Sequence, residues 1–296
     1  MSVRTNELQQ IGSVLDTDSF IIDSVSDGTG RLTLGNAIEY FRGAFMANGA
    51  GGVPYGKELT ESWADLQTRI KAGNFSGIHI GDYKTITLTT GEKVVMEVAG
   101  IDQYYKCGDT AIGHHIDFIS RDALRGAKQY NTTATNNGTA DKKSPWLASA
   151  LYSELNGTVY NTLPTDLKPY IIEKRALLEE RYGAAGNLTT DSGWSWQNAG
   201  KLWLPTEVEV FGCTHWSQPG YGSGGGGCNM QYPIFIGGSK HLIKGDGNGG
   251  SRCGWWGLSA HDGSATYVCF VNNYGDASIT SAAYTTIRAP LCFRIG

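Results

Sequence analysis

The 296-residue sequence is poor in charge, since Asp, Glu, Lys and Arg make up only 18% of it. Its 24 Lys and Arg residues are scattered rather than gathered into runs, and the formal net charge is −4 at pH 7. A protein that binds nucleic acid needs a concentrated positive surface to neutralise phosphates. We therefore expect no DNA or RNA partner.

Long apolar runs are also missing. No stretch approaches the roughly 20 apolar residues that a membrane-spanning helix needs. Met1–Gln10 lacks the charged-then-apolar plan of a secretion signal. We expect a soluble chain that is made in the cytoplasm and does not insert into a membrane.

Metal-binding cysteine motifs are absent, because no CxxC or CxxH spacing occurs. Synthesis in a reducing cytosol favours free, mostly buried thiols. Two wider pairs, Cys213 with Cys228 and Cys269 with Cys292, could oxidise after release. The six cysteines are Cys107, Cys213, Cys228, Cys253, Cys269 and Cys292.

Signatures of catalysis are lacking as well. No serine lies in a G-x-S-x-G elbow, and no cysteine lies in a nucleophile signature. Glu207 and Glu209 could form a glycosidase pair only at a separation that sequence does not show. Thr206 as a helix N-cap, with both acids in the first turn, is the better interpretation. We expect no enzyme activity.

Three further motifs resemble ligand sites without completing one. Gly224–Gly227 lacks the Lys-Ser/Thr of a phosphate loop, and GDGNGG offers calcium only the carboxylate of Asp246. His114 and His115 precede Asp117, but adjacent residues of a strand point to opposite faces, so a surface or core role is favoured. We expect neither a metal nor a cofactor.

Glycine is abundant, at 41 residues, and predicts a chain rich in strands, turns and loops. Residues 1–45 show a strand at 19–25, a D-G-T-G turn, a strand at 31–34 and a helix at 36–45. This unit is too small to be stable alone and needs partner chains. Residues 46–58 form a glycine-rich linker, and 59–296 form the main domain.

Within 59–296 helices are predicted in the first half and in the middle. The first, at Leu59–Lys71, starts around Thr60 and has an apolar stripe of Trp63, Leu66 and Ile70. Alternating runs at Tyr83–Thr89 and Lys93–Val98 predict a hairpin. Further helices are predicted at 146–155 and 167–182, before short strands and glycine loops from 201 to 296. The predicted fold class is α+β.

Aromatic residues crowd the last third of the chain. Trp203, Trp255 and Trp256 have apolar neighbours and are predicted to lie in the core. Other aromatic and polar residues lie beside glycine or polar turns, where rigid rings make good binding surface and sugars stack on them. The predicted ligand-binding residues are Trp216, Tyr221, Tyr232, His261, Asn272, Asn273, Tyr274 and Tyr284.

Two resemblances follow from these segments. The opening TNELQQIGSVLDTDSFIIDSVSDGTGRLTLGNAIEYF resembles the attachment segment at the start of many phage tail and head fibre proteins. The remainder resembles a domain of unknown function common in phages and bacteria of the gut. Its ordered blocks are SWADLQTRIKAGNFSGIHIGDYKTITL, PWLASALYSELN, KLWLPTEVEVFG and GWWGLSAHDGSATYVCFVNNYGDASITSAAYTTIRAPLCFRI.

The family usually reads W-W-L-R-S-P in the fourth block, whereas Trp255–Ala260 lacks the arginine and the proline. This implies a local loop change. The domain is similar to C-type-lectin-like folds, including phage receptor-binding domains. The resemblance implies a compact scaffold that displays loops and implies no catalytic set.

These inferences predict a phage virion protein of the tail-fibre, receptor-binding type. It would be made in the bacterial host cytoplasm, join other virion proteins through residues 1–45, form a homotrimer and bind a host-surface glycan or protein. Weak single contacts gain strength when an oligomer displays several of them. One alternative is a capsid head-fibre or decoration protein, and another is a lectin-fold enzyme.

Overall fold

The structure, a computed structural model, describes residues 19–24, 28–33, 56–182, 193–218, 230–236, 240–247 and 249–296. The chain divides into two compact units, Met1–Val53 and Pro54–Gly296. The point of division falls within the segment 46–58 predicted as a linker, of which only 56–58 is described.

The described part of the first unit is an antiparallel hairpin. Strand β1 is Ser19–Ser24 and strand β2 is Gly28–Thr33. The predicted strand at 19–25 is confirmed, and the second strand begins three residues before the predicted 31–34. The predicted helix at 36–45 lies outside the described residues. The attachment role of 1–45 stays a prediction.

The second unit is built on a five-stranded sheet in the order β3-β4-β5-β14-β6, with every pairing antiparallel. Its strands are β3 (Tyr83–Thr87), β4 (Lys93–Ile101), β5 (Ile116–Ala123), β6 (Ile171–Ile172) and β14 (Pro290–Ile295). All of β14 is buried, as its nearly continuous apolar run suits. Bulges in β4 and β14 increase the twist and curl the sheet. The predicted hairpin is β3–β4.

Helix α1, Trp63–Lys71, covers this sheet. Its predicted stripe of Trp63, Leu66 and Ile70 is buried. The Trp63 ring meets the Phe118 and Phe293 rings edge-on, with centroids 5.7 and 5.9 Å apart. The helix starts two residues after the predicted Thr60, because the Ser62 hydroxyl accepts the Asp65 N–H and forms the N-cap.

The two helices predicted in the middle of the chain had opposite outcomes. The prediction at 146–155 is confirmed by α2 (Pro145–Ala148) and α3 (Ala150–Glu154), which a π-turn joins to the short α4 (Tyr160–Thr162). The prediction at 167–182 is wrong. That segment forms a 3-10 turn, β6 and strand β7 (Arg175–Glu179). Pairing of β7 with β8 (Trp194–Asn198) outweighs the helical spacing.

A second, three-stranded sheet has the order β11-β12-β13. Its strands are β11 (Trp255–Ala260), β12 (Tyr267–Val271) and β13 (Ala277–Ser281), preceded by a short pair, β9 (Lys244–Gly245) and β10 (Arg252–Cys253). The fifth helix, α5, is Glu207–Phe211. Trp203, Trp255 and Trp256 are buried, as predicted. The second unit is thus an α+β domain whose described strand-to-strand pairings are antiparallel.

Candidate binding site

Helix α5 anchors the loop that carries Trp216. The Thr206 hydroxyl accepts the Glu209 N–H, and the Glu209 carboxylate accepts the Thr206 N–H at 2.8 Å. This reciprocal capping box confirms the predicted N-cap. The helix ends at Gly212, whose φ of +79° is left-handed and favours glycine. The chain then turns sharply into the loop.

The buried Glu207 carboxylate anchors that loop through hydrogen bonds to its backbone. It is buried and accepts the backbone N–H groups of His215, Trp216 and Ser217 at 2.9 to 3.1 Å. It also accepts the Ser217 hydroxyl at 2.7 Å. Hydrogen bonds to an ionised carboxylate are stronger than neutral ones. The backbone around Trp216 is therefore fixed by a single buried charge.

The Trp216 side chain lies on the protein surface in a defined position. It is 42% exposed, yet its indole N–H donates to the Ala277 carbonyl at 3.2 Å. Its own carbonyl accepts the Asp262 N–H at 2.8 Å. A large ring that is already ordered loses little entropy when it binds a ligand. Trp216 is thus an exposed aromatic side chain whose position is already fixed.

Three rings form a continuous surface, which we call the Trp216 strip. The Trp216 and His261 ring centroids are 6.0 Å apart, and those of His261 and Tyr267 are 6.2 Å apart. Tyr267, at the start of β12, is 42% exposed. Tyr267 was not among the predicted site residues, because it opens an alternating strand and its position against His261 depends on strand pairing that the sequence alone does not show.

Two buried charged residues, Glu179 and Arg181, form a polar layer beside the strip. Arg181 donates through Nη2 to the His261 carbonyl and through Nη1 to the Ser264 carbonyl, both at 2.8 Å. Nη1 also donates to Asn136 Oδ1 at 2.9 Å. Glu179 Oε1 accepts the Ala260 N–H at 2.9 Å. The layer ties the loop after β11, with its His261, to the body of the domain.

The polar layer is only partly satisfied. Within the described part of the chain, Glu179 Oε2, Arg181 Nε and His261 Nδ1 are buried without a hydrogen-bond partner. Burial raises the pKa of Glu179 to about 7 in spite of nearby Arg181, and Asp262 and Glu207 add to that rise. Burial also lowers the pKa of His261. No sequence pattern indicated this layer, because residues 167–182, which contain Glu179 and Arg181, were predicted as a helix.

Asn272, Asn273 and Tyr274 lie in the turn between β12 and β13, which leads into Ala277, the acceptor of the Trp216 indole N–H. The Asn272 side-chain oxygen accepts the Tyr274 N–H at 2.8 Å and the Asp276 N–H at 3.1 Å. Tyr274 is 68% exposed. Because β12 spans about 13 Å, this turn and Tyr267 lie at opposite ends of the hairpin. The structure therefore does not gather the predicted residues into one cluster.

The other predicted residues differ in position. Tyr284 is exposed and its N–H donates to the carbonyl of Ser281, the residue that pairs with Tyr267, so it lies near the His261 end. Tyr221 lies outside the described residues. Tyr232 was predicted at the surface, and this is wrong, because only 1% of it is exposed and its ring stacks on Trp203.

Tyr232 belongs to a buried set of charged and phenolic side chains, the core network. Its hydroxyl donates to Asp117 Oδ2 at 2.7 Å, and Arg294 donates to both Asp117 oxygens at 2.6 and 2.7 Å. Although burial alone would raise it, the facing Arg294 lowers the pKa of Asp117 to about 2. The remaining members are Lys174, Glu209 and Tyr104, with Lys174 and the Tyr104 hydroxyl both bonded to Glu209.

The His114, His115 and Asp117 motif has a structural role, as predicted. His114 Nδ1 lies 2.7 Å from Asp102, while buried His115 accepts the Tyr104 N–H and contacts the Gly113 carbonyl. The two imidazoles thus serve different partners. Among the described residues, no group of three or more His, Cys, Asp and Glu side chains could hold a metal ion.

The cysteines correct one expectation. Cys213 is free and exposed, and Cys253, Cys269 and Cys292 are free and buried, so neither of the two pairs considered from the sequence is formed. Cys107, however, is disulfide-bonded. Synthesis in a reducing cytosol favoured free thiols, and the pairs considered as oxidisable did not include Cys107, because a sequence without a spacing motif does not reveal which thiols approach each other.

No protein-family model, curated protein or solved structure matches this chain. The resemblances to phage fibre segments and to the gut-phage domain therefore stay predictions. None of the helices in the described residues is long and apolar enough to cross a membrane.

Proposed function

We propose that the chain is a phage virion structural protein of the receptor-binding type, which attaches to a host-surface glycan through the Trp216 strip. The main support for binding at this surface is that Trp216 is exposed while hydrogen bonds fix both its backbone and its indole N–H. Binding hot spots are enriched in tryptophan held in this way. The α+β domain would then be a C-type-lectin-like scaffold that displays the strip.

Further support comes from the carboxylates that a glycosidase would need. Glu207 is bonded to three backbone N–H groups, and Glu209 to Lys174, Tyr104 and the Thr206 N–H. Both are buried. Through these bonds Glu207 positions the backbone of the loop, and Glu209 takes part in the buried core network. A binding role rather than catalysis is the function proposed for this part of the domain.

The virion part of the proposal rests on the sequence resemblances, with residues 1–45 as the attachment segment and a homotrimer as the displayed form. Cryo-electron microscopy of the intact particle tests it. We expect residues 1–45 in a tail or baseplate socket and the Trp216 strip facing outward. Density on the capsid lattice would favour a head-fibre or decoration role, and particles without the chain would refute the virion proposal.

Glycan binding is tested separately with the full-length protein and isolated host cell envelopes. Trp216→Leu is expected to weaken adsorption by about tenfold or more, as loss of a central aromatic contact does. Ile236→Ser is the matched control, because Ile236 is also about half exposed but belongs to a different turn. Adsorption that resists periodate oxidation of the envelope sugars but not protease would point to a protein receptor.

A further inference from the structure

The two segments that build the Trp216 strip contain no positive charge. Residues 202–239, which carry Trp216, include no Lys or Arg, and neither do residues 254–287, which carry His261 and Tyr267. The acidic residues of the second segment are Asp262 and Asp276. All 24 Lys and Arg residues of the chain therefore lie outside these two segments.

Two acidic residues are connected to Trp216 through backbone hydrogen bonds of their own or of a neighbouring residue. The backbone N–H of Asp262 donates to the Trp216 carbonyl at 2.8 Å, and the Gln218 side-chain amide lies within hydrogen-bonding distance of the Asp262 carboxylate. Asp276 directly precedes Ala277, whose carbonyl accepts the Trp216 indole N–H. Asp262 and Asp276 therefore lie next to the backbone groups that hold Trp216; Asp276 is exposed, with its carboxylate 3.5 Å from Asn272 Nδ2, and Asp262 is partly exposed.

The cation of the polar layer does not offset them at the surface. Arg181 is only 1% exposed, and both terminal nitrogens are bonded to Asn136, Ser264 and His261 acceptors. His261 adds no charge at neutral pH, because burial lowers its pKa below the ordinary value. The surface presented by the strip is aromatic and acidic.

We propose that the ligand of the Trp216 strip is an uncharged sugar, a hexose or N-acetylhexosamine unit, and that the strip discriminates against sialylated, sulfated or uronic acid glycans. The inference rests on the proposed glycan-binding function. A neutral sugar offers an apolar face to the indole and hydroxyl donors to the carboxylates. An acidic sugar would bring a like charge against Asp262 and Asp276, which costs binding free energy.

The experiment is a glycan array that prints each neutral oligosaccharide beside its sialylated and sulfated forms, probed with full-length protein at low and physiological salt. The acidic forms are expected to bind about tenfold or more weakly than their neutral partners, with the larger gap at low salt where charges are least screened. Acidic forms that bind as well as, or better than, neutral ones would overturn the inference.

Variants separate this inference from the function on which it rests. Asp262→Asn with Asp276→Asn should narrow the gap between neutral and acidic glycans, while Asp166→Asn, an exposed carboxylate elsewhere, should leave the gap unchanged. A gap that the double variant does not narrow would refute the charge mechanism. If no glycan of either kind binds, or if Trp216→Leu binds as well as the unaltered protein, the proposed function itself fails.

Discussion

The core network and the polar layer both contain buried carboxylates and cations, but the two sets differ in how completely the buried acid is hydrogen-bonded and in the direction of its pKa shift. In the core network Asp117 faces Arg294 through two hydrogen bonds, and the pKa of Asp117 falls to about 2. In the polar layer Glu179 has one bonded oxygen and one free oxygen, and burial raises its pKa to about 7. Partner geometry, rather than burial, decides whether a buried acid stays ionised.

The contrast separates two kinds of role. A fully paired charge holds the fold over a wide pH range, because its protonation state does not change near neutrality. A half-paired buried acid such as Glu179, with a pKa of about 7, changes its protonation state near neutral pH. We therefore expect the core network to keep its charges across the neutral pH range and Glu179 of the polar layer to change its protonation state within it.

Breaking the core pair gives the largest expected effect. Arg294→Met leaves Asp117 buried without its cation, and such a loss costs about 3 to 5 kcal/mol of unfolding free energy. Denaturant unfolding followed by far-UV circular dichroism measures it. Arg175→Met is the matched control, because its partner Asp109 lies at the surface. Equal destabilisation by both variants would contradict the role given to burial.

The next largest effect distinguishes the two acids by pH. The folded pKa of Glu179 is about 7, above its ordinary 4.5, so its protonated form favours the folded state. Its stabilisation is present below pH 4.5 and is lost as pH rises through 7, at a cost on the order of 3 kcal/mol. Asp117 has the opposite sign, because its lowered pKa stabilises the fold above about pH 4 and is lost toward pH 2.

Glu179→Gln tests this directly. Gln keeps an oxygen for the Ala260 N–H but does not ionise, so we expect the variant to gain stability relative to the unaltered protein at pH 8 and to match it near pH 5. Glu179→Ala is the control, because it also removes the titration but leaves the Ala260 N–H unpaired, which costs about 1 to 3 kcal/mol at every pH. An unaltered pH profile in Glu179→Gln would exclude Glu179 as the titrating group.

Loss of the Glu207 anchor should have an intermediate effect. Glu207→Gln keeps one acceptor oxygen for three backbone N–H groups and a hydroxyl, and losing charge-assisted bonds costs about 2 kcal/mol. We expect the Trp216 indole to become more mobile, measured from the NMR resonance of its indole N–H, because Trp194 and Trp196 are also partly exposed and would contribute to total fluorescence. An ordered Trp216 ring in Glu207→Gln would show that the Ala277 bond alone positions it.

How far the sequence predicted this structure depends on whether a signal is local. The stripe of α1, the β3–β4 hairpin and the Thr206 cap depend on neighbours within a few residues, and all three are present. Segment 167–182 was predicted as a helix because its spacing fits one, and pairing with β8 decided otherwise. Glu179 and Arg181 are buried as a consequence of that pairing, so no pattern among neighbouring residues in the sequence indicated the polar layer.

The smallest expected effect concerns Tyr232, which was predicted at the surface and is buried in the structure. Tyr232→Phe removes a hydroxyl that donates to Asp117 but keeps the ring on Trp203, so about 1 kcal/mol of stability should be lost with no change in glycan binding. Tyr274→Phe removes an exposed hydroxyl and should leave stability unchanged. Thermal unfolding of both variants, with the glycan array as a second readout, measures the difference. A Tyr232→Phe variant of full stability but weakened binding would return Tyr232 to the ligand surface, and the burial of its ring against Trp203 argues against that result.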